Sequence, residues 1–247
     1  MRTFKLTLAY DGSNYSGWQF QPGRATVQEA LEQTLAKITG ETLRVAASGR
    51  TDAGVHALGQ VVSFRSQTRL EPAVLAKALN AELPWDMAVL ALTEAAADFH
   101  ARRSAVRKRY RYRIDDAPVR DVFQRQYVWQ YRSPLAADAM HRAAQVLAGT
   151  HDFSSFETSG SERESTVRTI SVVSVERGRG AAGQIAIEVE ADGFLYNMVR
   201  AIVGTLVEVG RGVQDEAWPG RVLAACSRDA AGQTAPPQGL FLVRVDY

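Results

Sequence analysis

Hydrophobic period constrains this chain most, because it switches between two and 3.6 in the same succession of steps twice over. Phe4, Leu6 and Leu8 alternate as on one face of a strand, and the polar turn at 11–14 ends it. Thr26, with Glu29 three residues on, has the spacing of a capping box. Val27, Leu31, Leu35 and Ile38 make a helical stripe that Gly40 closes. Extended runs follow at 43–48 and 60–66, then a helix with Pro72 in its first turn and Leu75, Ala78, Leu79 and Leu83 on one side, then a strand at 87–93. The order is β-α-β-β-α-β.

From residue 107 the pattern restarts, with strands at 107–114 and 126–131 and a helix opened by Ser133-Pro134 and ended by Gly149. Strands at 166–175 and 184–190, an apolar helix at 194–209, a second helix near 215–226 and a last strand at 240–247 complete it. Apart from the leading strand and the additional helix, this is the first order again. The expected fold is therefore α/β, of α+β type: two ferredoxin-like β-α-β-β-α-β halves whose antiparallel sheets meet at a central cleft. The expected domains are 1–105 and 106–247. Gly178, Gly180 and Gly183 match the G-x-G-x-x-G spacing, but Ile185, Ile187 and Val189 then alternate as on a strand. The segment reads as a hairpin turn and not as a nucleotide site, so no nucleotide cofactor is expected.

Composition narrows the classes. The chain of 247 residues carries 29 Lys+Arg, only four of them Lys, against 27 Asp+Glu, a formal charge of +2. The charge is uneven: residues 102–132 hold ten cations and three acids, a local +7, which leaves about −5 for the rest. A polyanion responds to such a patch, because screening removes exposed charges from view beyond roughly 8–10 Å. Cys226 has no partner in the chain, so no internal disulfide forms and a reducing cytoplasm fits best. The N-terminus has no signal-peptide pattern, and the apolar run at 193–210 is cut by Arg200 and Glu208, so no membrane span is expected. His56, His100, His141 and His151 show no ligand spacing, and no metal is expected.

Two segments carry chemistry. On the strand 107–114, period two puts Arg107, Arg109, Arg111 and Arg113 on one face and Lys108, Tyr110, Tyr112 and Ile114 on the other. One face suits phosphates and the other offers rings for stacking, which contributes roughly 1–3 kcal/mol per base. The same strand also reads as an ordinary one, with core tyrosines and solvated arginines. In the loop 48–57, two glycines bracket Arg50 and Asp52, which point the same way in an extended conformation. A neighbouring Arg holds a carboxylate ionised, lowering its pKa by roughly 1–3 units, and such an anion serves as nucleophile or base. An Asp between glycines is equally a turn residue that caps its own backbone.

The segment Gly49-Arg50-Thr51-Asp52-Ala53-Gly54-Val55-His56-Ala57 resembles the active-site motif of the tRNA pseudouridine synthase A family. Segments 10–22, 98–105, 108–112, 193–206 and 239–247 agree with that family in order, so the resemblance covers essentially the whole chain. The loop 156–165 carries no motif of it. The resemblance implies isomerisation of uridine to pseudouridine at positions 38–40 of the tRNA anticodon stem-loop, without metal or cofactor. It implies Asp52 as nucleophile, Tyr110 stacking on the uracil, Arg50 pairing with Asp52 and filling the space the nucleotide leaves, and Leu240 walling the base pocket. Arg107, Arg109 and Arg111 are the expected RNA contacts, and a homodimer is the expected assembly. The alternative is a non-catalytic RNA-binding protein using strand 107–114. That strand lacks the glycine of an RRM signature. An Asp-dependent hydrolase would instead release free uracil.

Overall fold

The computed structural model describes residues 1–158, 165–178 and 183–247. Its strands are β1 (Arg2–Tyr10), β2 (Ala46–Ala47), β3 (His56–Ser66), β4 (Met87–Ala95), β5 (Arg107–Asp115), β6 (Trp129–Gln130), β7 (Gly149–Asp152), β8 (Val167–Arg177), β9 (Ile185–Ala191) and β10 (Leu240–Asp246). Its helices are α1 (Val27–Thr39), α2 (Pro72–Glu82), α3 (Ala137–Ala144), α4 (Met198–Gly210) and α5 (Trp218–Ala225). The chain forms two compact units, Met1–Val106 with Phe241–Tyr247, and Arg107–Leu240.

In the first unit β1 lies antiparallel between β3 and β4, with Leu6 opposite both Val62 and Leu92. The alternating face of β1 is the core: Phe4, Leu6 and Leu8 are fully buried, and Phe4 stacks on Phe64 at 5.2 Å. On α1, Thr26 caps the start by accepting the Glu29 amide at 3.4 Å, and Gly40 ends the helix in the left-handed region at φ 71°. Val27, Leu31 and Leu35 are its buried stripe. The strand expected at 43–48 is only the two residues of β2, set antiparallel on β3 with Ala46 opposite Ser63.

Sequence reasoning assigns 106–247 to one domain, whereas 241–247 pack within the first unit. There β10 runs parallel to β3, with Phe241 opposite His56. A pairing between segments so far apart in sequence leaves no local pattern to read.

The second unit is a sheet in the order β5-β9-β8-β7, each neighbouring pair antiparallel, with β6 parallel on β5. Helix α3 packs on β8 and α4. Helix α4 is buried on nearly all sides, which accounts for its apolar sequence, and it starts at Met198 rather than 194 because Asn197 takes a positive φ of 61°. Three further expectations shift. Of 126–131 only Trp129 and Gln130 form a strand. Helix α3 starts at Ala137 without a side-chain cap and passes into a 3-10 turn at Gln145–Leu147, so Ser133-Pro134 lies before it. Gly149 then opens β7, a polar edge strand whose residues lack alternation and so escape a search by period. Strands β8 and β9 pair with Arg177 opposite Ile185, while residues 179–182 of the expected hairpin turn lie outside the described residues.

Candidate active site

The loop before β3 is held from beneath by side chains of its own strands. Ser48 is fully buried and donates its hydroxyl to Gln60 Oε1 at 2.6 Å, while Gln60 Nε2 donates to the Gly49 carbonyl at 2.8 Å. Thr51 accepts the Trp18 amide at 2.9 Å on its carbonyl and shares a 2.7 Å hydrogen bond with the Tyr10 hydroxyl through Oγ1. Burial pushes the Tyr10 hydroxyl up to about 12, against the weaker opposing effect of its bonds to Thr51 and Gln60. Tyr10 therefore keeps its proton at neutral pH.

Asp52 follows Thr51, half-buried, and its carbonyl accepts the Val55 amide at 3.1 Å in a turn that Gly54 completes at φ 77°. Two glycines of the preceding segment make the close approach possible. A Cβ on Gly17, itself at φ 90°, would lie 2.7 Å from the Thr51 carbonyl, and a Cβ on Gly12 would lie 2.0 Å from that of Val55. The result is a carboxylate in a short turn between buried Thr51 and buried Val55, the kind of preorganisation a nucleophile or base requires. Arg50 is exposed at the rim of the loop.

His56, to which the sequence alone assigns no role, is the first residue of β3 and is almost fully buried. Its Nδ1 accepts the Gly12 amide at 3.0 Å, and its ring stacks on Phe241 at 4.7 Å. Asp11 Oδ1 lies 3.1 Å from the same nitrogen and accepts both the amide and the hydroxyl of Ser13. The same nitrogen accepts from Gly12 when the imidazole is neutral and would donate to Asp11 when it is protonated. A positional clue existed: His56 sits in the loop motif, but its role depends on the distant Gly12 and Phe241.

In the second unit, Tyr110 is buried on β5 and meets Phe194 edge-on at 5.0 Å. Tyr112 is fully buried and donates its hydroxyl to the Pro236 carbonyl at 2.7 Å, and burial raises its pKa well above the phenol range. A Cβ on Gly239 would lie 2.6 Å from the Tyr112 ring, so this contact seats the turn that leads to buried Leu240.

The arginine face of β5 is not open as the sequence alone suggests. Across the sheet Arg109 faces Glu190 and Arg111 faces Glu188. Arg109 Nε donates to Glu190 Oε2 at 2.9 Å and Nη1 reaches Glu188 Oε2 at 3.3 Å, while Arg111 Nε donates to Glu188 Oε1 at 2.8 Å. Arg107 is the loosest, 3.9 Å from Glu190. Two carboxylates of β9 thus offset part of the charge counted along the chain. Among the described residues no group of three or more His, Cys, Asp or Glu is placed to hold a metal, and no helix is long and apolar enough to cross a membrane.

A family model described as tRNA pseudouridine synthase matches residues 7–103 and 143–247. The chain is 50% identical over 250 residues to tRNA pseudouridine synthase A of Moorella thermoacetica, with all of both chains covered. It is 45% identical over 249 residues to that of Thermoanaerobacter sp. (strain X514), again over the whole of both chains. With that of Halalkalibacterium halodurans the identity is 47%, covering 98% of this chain and 91% of the relative.

Proposed function

Since the chain belongs to the tRNA pseudouridine synthase family, a family of isomerases, we propose that it converts uridine to pseudouridine at positions 38–40 of the tRNA anticodon stem-loop, with Asp52 as nucleophile. The observation that carries this reading is the seating of Asp52: a half-buried carboxylate between buried Thr51 and Val55, in a loop locked by Tyr10, Gly12 and Gly17. The reaction breaks the N1–C1′ bond, turns the uracil and joins C5 to C1′; the C5 hydrogen leaves as a proton and N1 takes one up. Nothing is oxidised or reduced, and the chemistry asks for one carboxylate rather than a pair.

A uridine within a stem first leaves its stack, at a cost of a few kcal/mol. Stacking on Tyr110 offsets part of that cost, Leu240 walls the pocket, and Arg50 beside the carboxylate occupies the space the base vacates. The enzyme works as a cytoplasmic homodimer on this reading. The test is incubation with tRNA labelled at uridine C5: label leaves an intact RNA chain with the native enzyme. Tight binding without label release would point to a binding protein, and free uracil to a hydrolase.

A further inference from the structure

Glutamates on β9 hold the guanidinium groups of Arg109 and Arg111 on β5, whereas other cations of the same basic segment carry no such pair. Among the described residues, Arg102 and Arg103 are exposed and make no ion pair or side-chain hydrogen bond. Their backbone, by contrast, is fixed. His100 Nδ1 accepts the amides of Arg102 and Arg103 at 3.1 and 3.4 Å, and Ser104 closes the turn by donating its amide to the His100 carbonyl at 2.9 Å. Ala101 beneath them is fully buried; its amide donates to Ser63 Oγ at 3.0 Å and its carbonyl accepts the Tyr247 hydroxyl at 2.9 Å. Burial raises the pKa of Tyr247, which keeps that donor protonated. Lys5 sits over the Tyr247 ring at 4.2 Å, and Phe99 packs against the ring at 5.0 Å.

We infer that Arg102 and Arg103, carried on this buttressed turn, form a phosphate-binding site for the RNA backbone. An arginine fork already committed to a carboxylate must break that pair before it binds phosphate, whereas an uncommitted one gives up only water. The turn removes backbone freedom in advance, so less ordering remains to be done on binding. The contacts are to phosphate and carry no base specificity. The inference rests on the reading of tRNA as substrate.

The experiment compares tRNA affinity across a salt series for native protein, R102Q/R103Q and R142Q/R221Q. The last makes the same change of charge at arginines that pair with Glu216 and Asp215. Each phosphate contact contributes roughly 0.7–0.9 to the slope of log K against log salt. R102Q/R103Q is expected to lose on the order of tenfold in affinity at 0.15 M salt and about 1.5 from the slope, while R142Q/R221Q stays within about twofold of native. Native binding and label release with an unchanged slope in R102Q/R103Q overturns the site and leaves the enzymatic reading standing. Native protein that neither binds tRNA nor releases label overturns the enzymatic reading itself. Should the double variant fail to fold, R102Q and R103Q singly are each expected to lose about half of that slope, and an unchanged slope in both overturns the site.

Discussion

The amide of Gly12 donates to Nδ1 of His56 at 3.0 Å, and this bond ties the segment after β1 to the end of the loop that bears Asp52. The carbonyl of Val55 fills the space in which a side chain at residue 12 would stand. Gly12→Ala must therefore move the loop or the segment. The expected cost is about 1–3 kcal/mol, as for overpacked cores, together with a fall in turnover. Urea unfolding reads it as a lower midpoint at an unchanged m value.

His56→Phe keeps a ring against Phe241 but leaves the buried Gly12 amide without its acceptor. A loss of about 1–3 kcal/mol in stability is expected. Because the change acts on the position of Asp52 and not on RNA contacts, kcat should fall by more than KM rises. Equal effects on both parameters would point to a different role for His56.

Tyr10 titrates at about 12 against an ordinary value near 10, because burial disfavours its anion. The sign follows from linkage: between pH 10 and 12 the unfolded chain has lost this proton and the folded one retains it, so stability is complete below pH 10 and declines across that window. The decline is on the order of 2–3 kcal/mol. Tyr10→Phe has no proton to lose there, so the stability advantage of the native protein over Tyr10→Phe, measured by denaturant unfolding, should shrink as pH rises from 10 to 12.

Glu188 holds Arg111 and part of Arg109 on the face of the second sheet. Glu188→Gln releases them to solvent, so the salt dependence of tRNA binding should steepen by roughly 0.7–0.9 per phosphate gained. An unchanged slope in a filter-binding or anisotropy series would mean that this face does not meet the RNA.

Elements whose signal is local were legible in the sequence. The alternation of Phe4, Leu6 and Leu8 gave β1, and Thr26 with Gly40 gave the two ends of α1, because period and capping are properties of neighbouring residues. Strand β7, with no apolar face, is defined only by its pairing to β8, and β6 is confined to Trp129 and Gln130. The candidate site divides in the same way. The loop around Asp52 is a contiguous motif and was read as one. Glu188 and Glu190 also stand out at period two on β9, but their neutralisation of Arg109 and Arg111 depends on a register between strands about eighty residues apart. His56 was missed because its amide donor and its stacking partner lie in other segments.

If the Asp52 carboxylate performs the isomerisation, loss of label from uridine C5 in tRNA depends on it. Asp52→Asn preserves shape and the backbone bonds of the loop, so tRNA affinity within a few fold of native and no detectable label release are expected. Label release by Asp52→Asn at the native rate would contradict that role for Asp52.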